Sequence, residues 1–391
     1  LRTRPLRRGP CLALLAFVFK VRSNSCFRPL LCCAVILMGN QDDIWTVKRA
    51  LDWTCGYLER KGDENPRVSA EWLLSEVCSL RRIDLYMNPE RPLDRAELDL
   101  LHDYVLRRGK GEPLQYITGE APFRYLTVKV RPGVLIPRPE TEVLVSEALS
   151  CLPAAAKREA AWNAESFEQE AAAVAQLKER IREAFAADGI DGGEEDADAD
   201  QADDASDAVS ASQDEQQADP YFLVADICTG SGCIACSIAS ERPDTRVIAT
   251  DLSPQAVALA RENVDALELT DKVKVLEGDL GDSIPERYLG RFDLVVSNPP
   301  YIPTEVLASM PREVADFEPE LALDGGADGL DLFRRLLNWA RTALKPGGAF
   351  ACELHETCLD DAAQDARAAG FSSVRIVRDL ADRPRVLVCR L

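Results

Sequence analysis

Phe222-Leu223-Val224-Ala225-Asp226-Ile227-Cys228-Thr229-Gly230-Ser231-Gly232 reads as a buried strand running straight into a glycine-rich turn. Its first six residues are apolar except for one carboxylate, the pattern of a strand covered on both faces in a parallel sheet. The turn then predicts a helix over residues 234–240. Downstream the same alternation repeats. Strands are predicted at 246–250, 273–277, 292–296 and 348–354, with helices at 254–266, 330–343 and 359–369, and the chain closes on paired strands at 374–379 and 385–390. Strands alternating with helices imply an α/β fold, a mostly parallel sheet with right-handed crossovers. A glycine loop between strand end and helix start lets a ligand approach the backbone at a helix N-terminus. Asp251 ends the next strand, about 20 residues on, where a carboxylate can accept both hydroxyls of a ribose. These features point to a nucleoside-type cofactor but do not separate NAD from S-adenosylmethionine. A tight turn without a ligand is the plain alternative.

A second loop breaks that tie. Asn298-Pro299-Pro300-Tyr301 follows the predicted strand at 292–296. Two prolines remove two N–H donors and fix two φ angles, so a rigid strand terminus would account for them. It would not account for an amide before them and a phenol after them. A planar amide or aromatic amine that is to be methylated has a delocalised lone pair and no easily lost proton. It needs fixed acceptors, the Asn298 side-chain carbonyl and a proline carbonyl, to hold its N–H groups and aim the nitrogen. Tyr301 would supply a flat surface for the substrate group. Rate then comes from positioning and preorganised dipoles rather than from a strong base. In open α/β sheets such sites lie beyond the strand carboxyl ends at a switch point of strand order.

Upstream, apolar residues at helical spacing (Val47, Leu51, Leu58; Ala70, Leu73, Leu74, Val77; Leu98, Leu101, Val105) predict a small helical domain over 38–120. Residues 121–153 are predicted as a β-hairpin connector, with strands at 123–130 and 134–136 around Arg131-Pro132-Gly133. Residues 154–220 form a low-complexity insert. Its first half is Ala/Glu/Lys-rich and suits a helix, whereas 188–219 holds too little apolar surface to offset its ordering entropy and is expected to be disordered in large part. An acidic interaction tail is the alternative for that segment. Residues 221–391 are expected to make the catalytic domain. Residues 1–37 are basic, with apolar runs too short to span a bilayer. They fit a targeting leader by pattern, but the reading preferred here is an over-extended frame ahead of Met38.

Charge and composition limit the function further. The chain of 391 residues carries a formal charge of −20, with +7 in residues 1–37 and −14 in residues 154–220. Such a balance argues against a phosphate backbone as main partner. His102 and His355 are the only histidines and neither lies in a catalytic or metal motif, so no metal is expected. The thirteen cysteines are scattered through apolar runs, which suits buried free thiols in a reducing compartment. Cys233 and Cys236 read as core-facing helix residues in preference to a redox or zinc pair.

Taken in order, these stretches resemble the PrmC/HemK family, protein-(glutamine-N5) methyltransferases of peptide chain release factors. The resemblance is carried by Gly111-Glu112-Pro113-Leu114-Gln115-Tyr116-Ile117-Thr118-Gly119, Val134-Leu135-Ile136-Pro137-Arg138-Pro139-Glu140-Thr141-Glu142, the glycine loop and Asn298-Pro299-Pro300-Tyr301. Asp316-Phe317-Glu318-Pro319, Leu321-Ala322-Leu323-Asp324-Gly325-Gly326 and Asp328-Gly329-Leu330-Asp331 add to it. It implies a Rossmann-like class I methyltransferase domain with a seven-stranded sheet, S-adenosyl-L-methionine as cofactor, and methyl transfer to the glutamine of a Gly-Gly-Gln motif. It further implies a release factor as protein partner, no direct nucleic acid or membrane contact, a monomer, and a cytoplasmic location. Carried over by position, the cofactor residues are Cys228, Thr229, Gly230, Ser231, Gly232, Asp251, Leu280, Asn298, Arg138, Glu140 and Thr141. Asn298, Pro299, Pro300 and Tyr301 hold the substrate and are the catalytic set. The family usually has Gly where Cys228 stands, and Cys228 is expected to keep ordinary backbone angles there. Leu280 replaces a position often aromatic, and Arg124-Tyr125 replaces an aromatic-Gly pair.

The rivals are a nucleic-acid adenine methyltransferase, an NAD oxidoreductase and a non-catalytic interaction module using the acidic insert. The acidic charge disfavours the first, and Asn298-Pro299-Pro300-Tyr301 has no purpose in the second. Methyl transfer by a chain lacking the insert would set aside the third.

Overall fold

A computed structural model describes residues 44–154, 164–187 and 221–391. The expectations for residues 1–37 and 188–219 lie outside them.

Helices α1 (Val47–Lys61), α2 (Pro66–Val77), α3 (Arg82–Met87), α4 (Arg95–Arg108) and α5 (Leu114–Thr118) form the helical unit. Local chemistry sets their ends. Thr46 caps α1 by accepting from the Arg49 N–H, and Gly62 stops it at φ 86°. Asp94 and Glu97 make a reciprocal capping box that opens α4. The faces so fixed bury Val47, Leu51, Leu58, Leu73, Leu74, Leu101 and Val105 in one cluster.

The hairpin departs from expectation. Its strands are β1 (Glu120–Phe123) and β2 (Leu126–Lys129), paired Glu120 to Lys129 and Phe123 to Leu126. The turn is therefore Arg124-Tyr125, with Arg124 at φ 52°, and Arg131-Pro132-Gly133 lies beyond it. Neither turn residue is a glycine or asparagine, so the sequence hid a turn inside what reads as a continuous strand. Arg124 is held by its side chain, which donates to both oxygens of Glu241 at 2.5 and 2.7 Å. Helix α6 (Thr141–Cys151) follows, and α7 (Ala164–Ala187) occupies the helix-prone half of the insert. Lys178 of α7 pairs with Asp282 at 2.7 Å, and Glu168 with Lys274 of the sheet's edge strand at 2.9 Å.

The catalytic unit contains β3 (Phe222–Ile227), α8 (Cys233–Glu241), β4 (Thr245–Asp251), α9 (Pro254–Ala266), β5 (Val273–Glu277) and β6 (Phe292–Ser297). After the short helices α10 (Thr304–Leu307) and α11 (Arg312–Ala315) come α12 (Asp331–Ala343), β7 (Leu344–Glu353), α13 (Leu359–Ala368), β8 (Ser372–Arg378) and β9 (Pro384–Arg390). The seven-stranded sheet has the order β5-β4-β3-β6-β7-β9-β8, with β9 antiparallel to both neighbours and the other pairings parallel. This is the mostly parallel α/β sheet expected from the strand–helix alternation, with the Rossmann-like, seven-stranded form that the family resemblance implies.

Period-two alternation splits the core into two layers. Val224, Val247 and Leu294 face α6, α8 and α9. Leu223, Ala225, Ile227, Val295 and Phe350 face α12 and α13. The chain winds outward in one direction from β3 and in the other from β6, so the strand order reverses between them. There Ile227 pairs with Ser297, and the glycine loop and the Asn298 turn leave neighbouring strands at one level.

Candidate active site

The glycine loop is held from below by Asp226. This carboxylate is fully buried, and its Oδ2 accepts from the Thr229 hydroxyl at 2.6 Å and the Ala235 N–H at 3.1 Å. Burial pushes its pKa up to about 7, against the opposing pull of those two donors. Above it, the Thr229 N–H donates to the Thr250 carbonyl at 2.9 Å and the Gly230 N–H to Asp251 Oδ2 at 2.8 Å. The second oxygen of Asp251 accepts from the Ser253 N–H at 2.9 Å. Each carboxylate oxygen keeps a further lone-pair direction, so these bonds orient Asp251 without exhausting it.

Cys228 corrects an expectation. It takes φ 61°, in the left-handed region where a Cβ is disfavoured, rather than ordinary strand angles. The loop geometry needs that angle and the sequence supplies a side chain with it. Burial pushes the thiol's pKa up, with the nearby Asp251 and Asp226 adding to the shift. Cys233 and Cys236 are buried free thiols on α8, in line with a core role.

A cavity of about 840 Å³ opens above these loops. Of the residues named from sequence, Cys228, Thr229, Gly230, Ser231, Asp251, Leu280, Asn298, Pro300, Arg138 and Thr141 line it. Gly232, Glu140, Pro299 and Tyr301 do not. Gly232, at φ 80°, is a packing position, since an added Cβ would stand 3.1 Å from that of Ala260 on α9. Glu140 precedes the first residue of α6 and is exposed. Pro299 is buried. Tyr301 packs into the core, and its hydroxyl donates to Glu353 Oε1 at 3.1 Å, so its ring is tied back instead of lining the cavity as a free surface.

Three supports of the site had no role assigned from sequence, although Glu318 and Gly325 stand in stretches that carry the family resemblance. Asn263 on α9 donates to the Ser231 carbonyl at 2.8 Å and the Lys129 carbonyl at 3.0 Å, and accepts from the Lys129 N–H at 2.8 Å, stitching hairpin to glycine loop. Glu318 forms an ion pair with Arg138 across the cavity rim, and burial pushes its pKa up to about 6 despite that cation. Gly325 lies under the Asn298 turn, where an added Cβ would stand 2.6 Å from the Tyr301 Cα. Only a glycine admits that approach, and the Gly325 N–H donates to the Ile302 carbonyl at 2.8 Å. A single Asn in a helix carries no local signal, because its partners are distant in sequence.

The cavity fits a nucleoside sulfonium. Its wall carries Asp251 beside the glycine backbone, with Asp279 on the lining ion-paired to Arg335 at 2.5 Å. Fold and site together define an S-adenosylmethionine-dependent methyltransferase of class I. The PrmC N-terminal domain family matches residues 49–119 and the methyltransferase small domain family matches residues 198–310. The release factor glutamine methyltransferase of Geobacter sulfurreducens is 37% identical over 317 residues, covering 81% of this chain and 87% of that protein. The enzyme of the same description from Moorella thermoacetica is 35% identical over 343 residues, covering 87% and 96%. The chain belongs to the release factor glutamine methyltransferase family. No helix among the described residues is long and apolar enough to cross a membrane.

Proposed function

We propose that this protein methylates the side-chain N5 of the glutamine in the Gly-Gly-Gln motif of a peptide chain release factor. The observation that carries the reading is the pairing of Ile227 with Ser297, which brings the glycine loop and Asn298 to one cavity. The loop 228–231, Asp251, Leu280 and Arg138 would hold S-adenosylmethionine, which supplies an electrophilic methyl group on a sulfonium. Asn298 and the proline carbonyl beside it accept the two N–H groups of the substrate amide. The amide plane is thereby fixed and its nitrogen aimed at the donor, so the chain supplies orientation rather than a base. Glycine at 325 and the bond from Tyr301 to Glu353 keep the turn from yielding under that load.

The helical unit and hairpin would hold the release factor while the unit from 221 onward transfers the methyl group. A monomer is the expected state, and a translation factor as substrate fits a cytoplasmic location. The overall charge of −20 disfavours nucleic acid as the methyl acceptor.

The test is mass spectrometry of a release factor incubated with the protein and methyl donor. A gain of one methyl on the Gly-Gly-Gln peptide is expected, with Asn298→Ala nearly abolishing turnover while cofactor binding persists. An unmodified peptide, or a fully active Asn298→Ala, would refute the reading.

A further inference from the structure

Beneath the Asn298 turn lies a carboxyl group that the transfer itself does not use. Glu353, at the end of β7, is buried, its Oε1 accepts from Tyr301 and its Oε2 has no hydrogen-bond partner. A buried oxygen left without a donor is costly, so its neighbourhood is informative. The Thr141 hydroxyl, at the start of α6, faces this carboxyl and favours its charged form. Thr141 Oγ1 in turn accepts from Asn298 Nδ2 at 3.1 Å. Asn298 Oδ1 has no partner among the described residues.

The donor and acceptor inventory allows one consistent direction along this chain. A carboxylate only accepts, so the Thr141 proton orients toward Glu353, whose Oε2 no other donor among the described residues reaches. The Thr141 lone pair is then available and the Asn298 NH₂ must face it. The amide carbonyl is left facing the cavity that Asn298 lines. We infer that Glu353 and Thr141 are positioning residues that lock the Asn298 amide with its oxygen toward the substrate. This rests on the release-factor reading only for the identity of that substrate. A flipped amide would present a donor to a donor and repel the substrate N–H.

Protonation undoes the lock. A neutral Glu353 carries its own O–H and can donate to Thr141, which frees the Thr141 proton to turn to Asn298, where a flipped amide would accept it. Burial pushes the pKa of Glu353 up to about 7, with Thr141, Tyr301 and Arg385 opposing and Glu140 adding to the shift. Cys233 of α8 and Cys352 beside it in β7 also face this carboxyl. The lock is therefore engaged on the alkaline side of neutrality and released on the acid side.

The first measurement uses the full chain without cofactor or substrate, with asparagine side chains labelled for ¹⁵N NMR. The Asn298 side-chain amide signal is expected to titrate near neutral pH, and in Glu353→Gln that titration disappears. In turnover, Thr141→Val is expected to lower kcat by about 10- to 100-fold, the loss of one positioning hydrogen bond. Thr141→Ser, which restores the hydroxyl, should return kcat to within about threefold. The acid limb of the kcat profile should also vanish in Glu353→Gln. An Asn298 signal indifferent to pH in the unaltered protein would overturn the inference, as would a Thr141→Ser no more active than Thr141→Val. If the signal titrates but no release factor is methylated, the lock stands and the substrate assignment fails.

Discussion

Cys228 shows where a residue type and the backbone angle it must adopt part company. At φ 61° a side chain pays for its Cβ, about 1–2 kcal/mol in the left-handed region. Comparing two variants that both lack the thiol isolates that cost. Cys228→Gly is expected to be more stable than Cys228→Ala by about 1 kcal/mol, or roughly 2–4 °C in Tm for a domain of this size. Equal melting temperatures in calorimetry would show that the loop relaxes around the alanine. The neighbouring residues were more legible. Asp226, the glycine pair, Asp251 and the Asn298 turn announce themselves by type and spacing. Glu353, Thr141 and Asn263 act through partners brought together only by the fold, so no local pattern marks Glu353 or Asn263, and Thr141 entered only through the family resemblance.

Among the elements, the parallel strands and their helices were readable because period two and period 3.6 give distinct patterns over long runs. The hairpin was not, since Arg124-Tyr125 lacks the residues that usually mark a two-residue turn, and the real glycine at 133 pulled the assignment downstream. Short helices such as α3 and α5 also escaped, being too brief to show a period. The join between helical and catalytic units depends on Arg108 at the end of α4. It pairs with Asp63 at 2.6 Å and reaches Glu313 of α11 at 2.9 Å, with its side chain 10% exposed. Burial would raise the pKa of Asp63, yet Arg108, the Asn65 N–H and Ser69 together hold it below the usual carboxylate range. Arg108→Ala leaves Asp63 without its cation but still bonded to Asn65 and Ser69, and is expected to cost about 1–3 kcal/mol in urea-induced unfolding. A loss well under 1 kcal/mol would mean that water reaches Asp63 and replaces the arginine.

At the scale of the whole molecule, three buried carboxyls share one sign. Asp226 and Glu353 titrate near 7 and Glu318 near 6, all above their unfolded values. Between the unfolded and folded pKa values the native state binds more protons than the unfolded chain, so stability falls as pH rises. The contribution is complete below the unfolded values, near pH 4, and is lost by the time pH has passed through 7. Asp63 and Glu71, whose pKa values are lowered, act in a separate window at more acid pH. Calorimetry from pH 5 to 8 should therefore show a falling Tm, with a shallower fall in Asp226→Asn. A Tm that climbs over that range would contradict the assignment.

The ladder joining β3 to β6 carries a consequence of its own. Two loops mounted on adjacent rungs cannot drift apart unless the rungs themselves come undone. Warming the enzyme should leave catalysis at full strength until the sheet unzips, with no earlier fade.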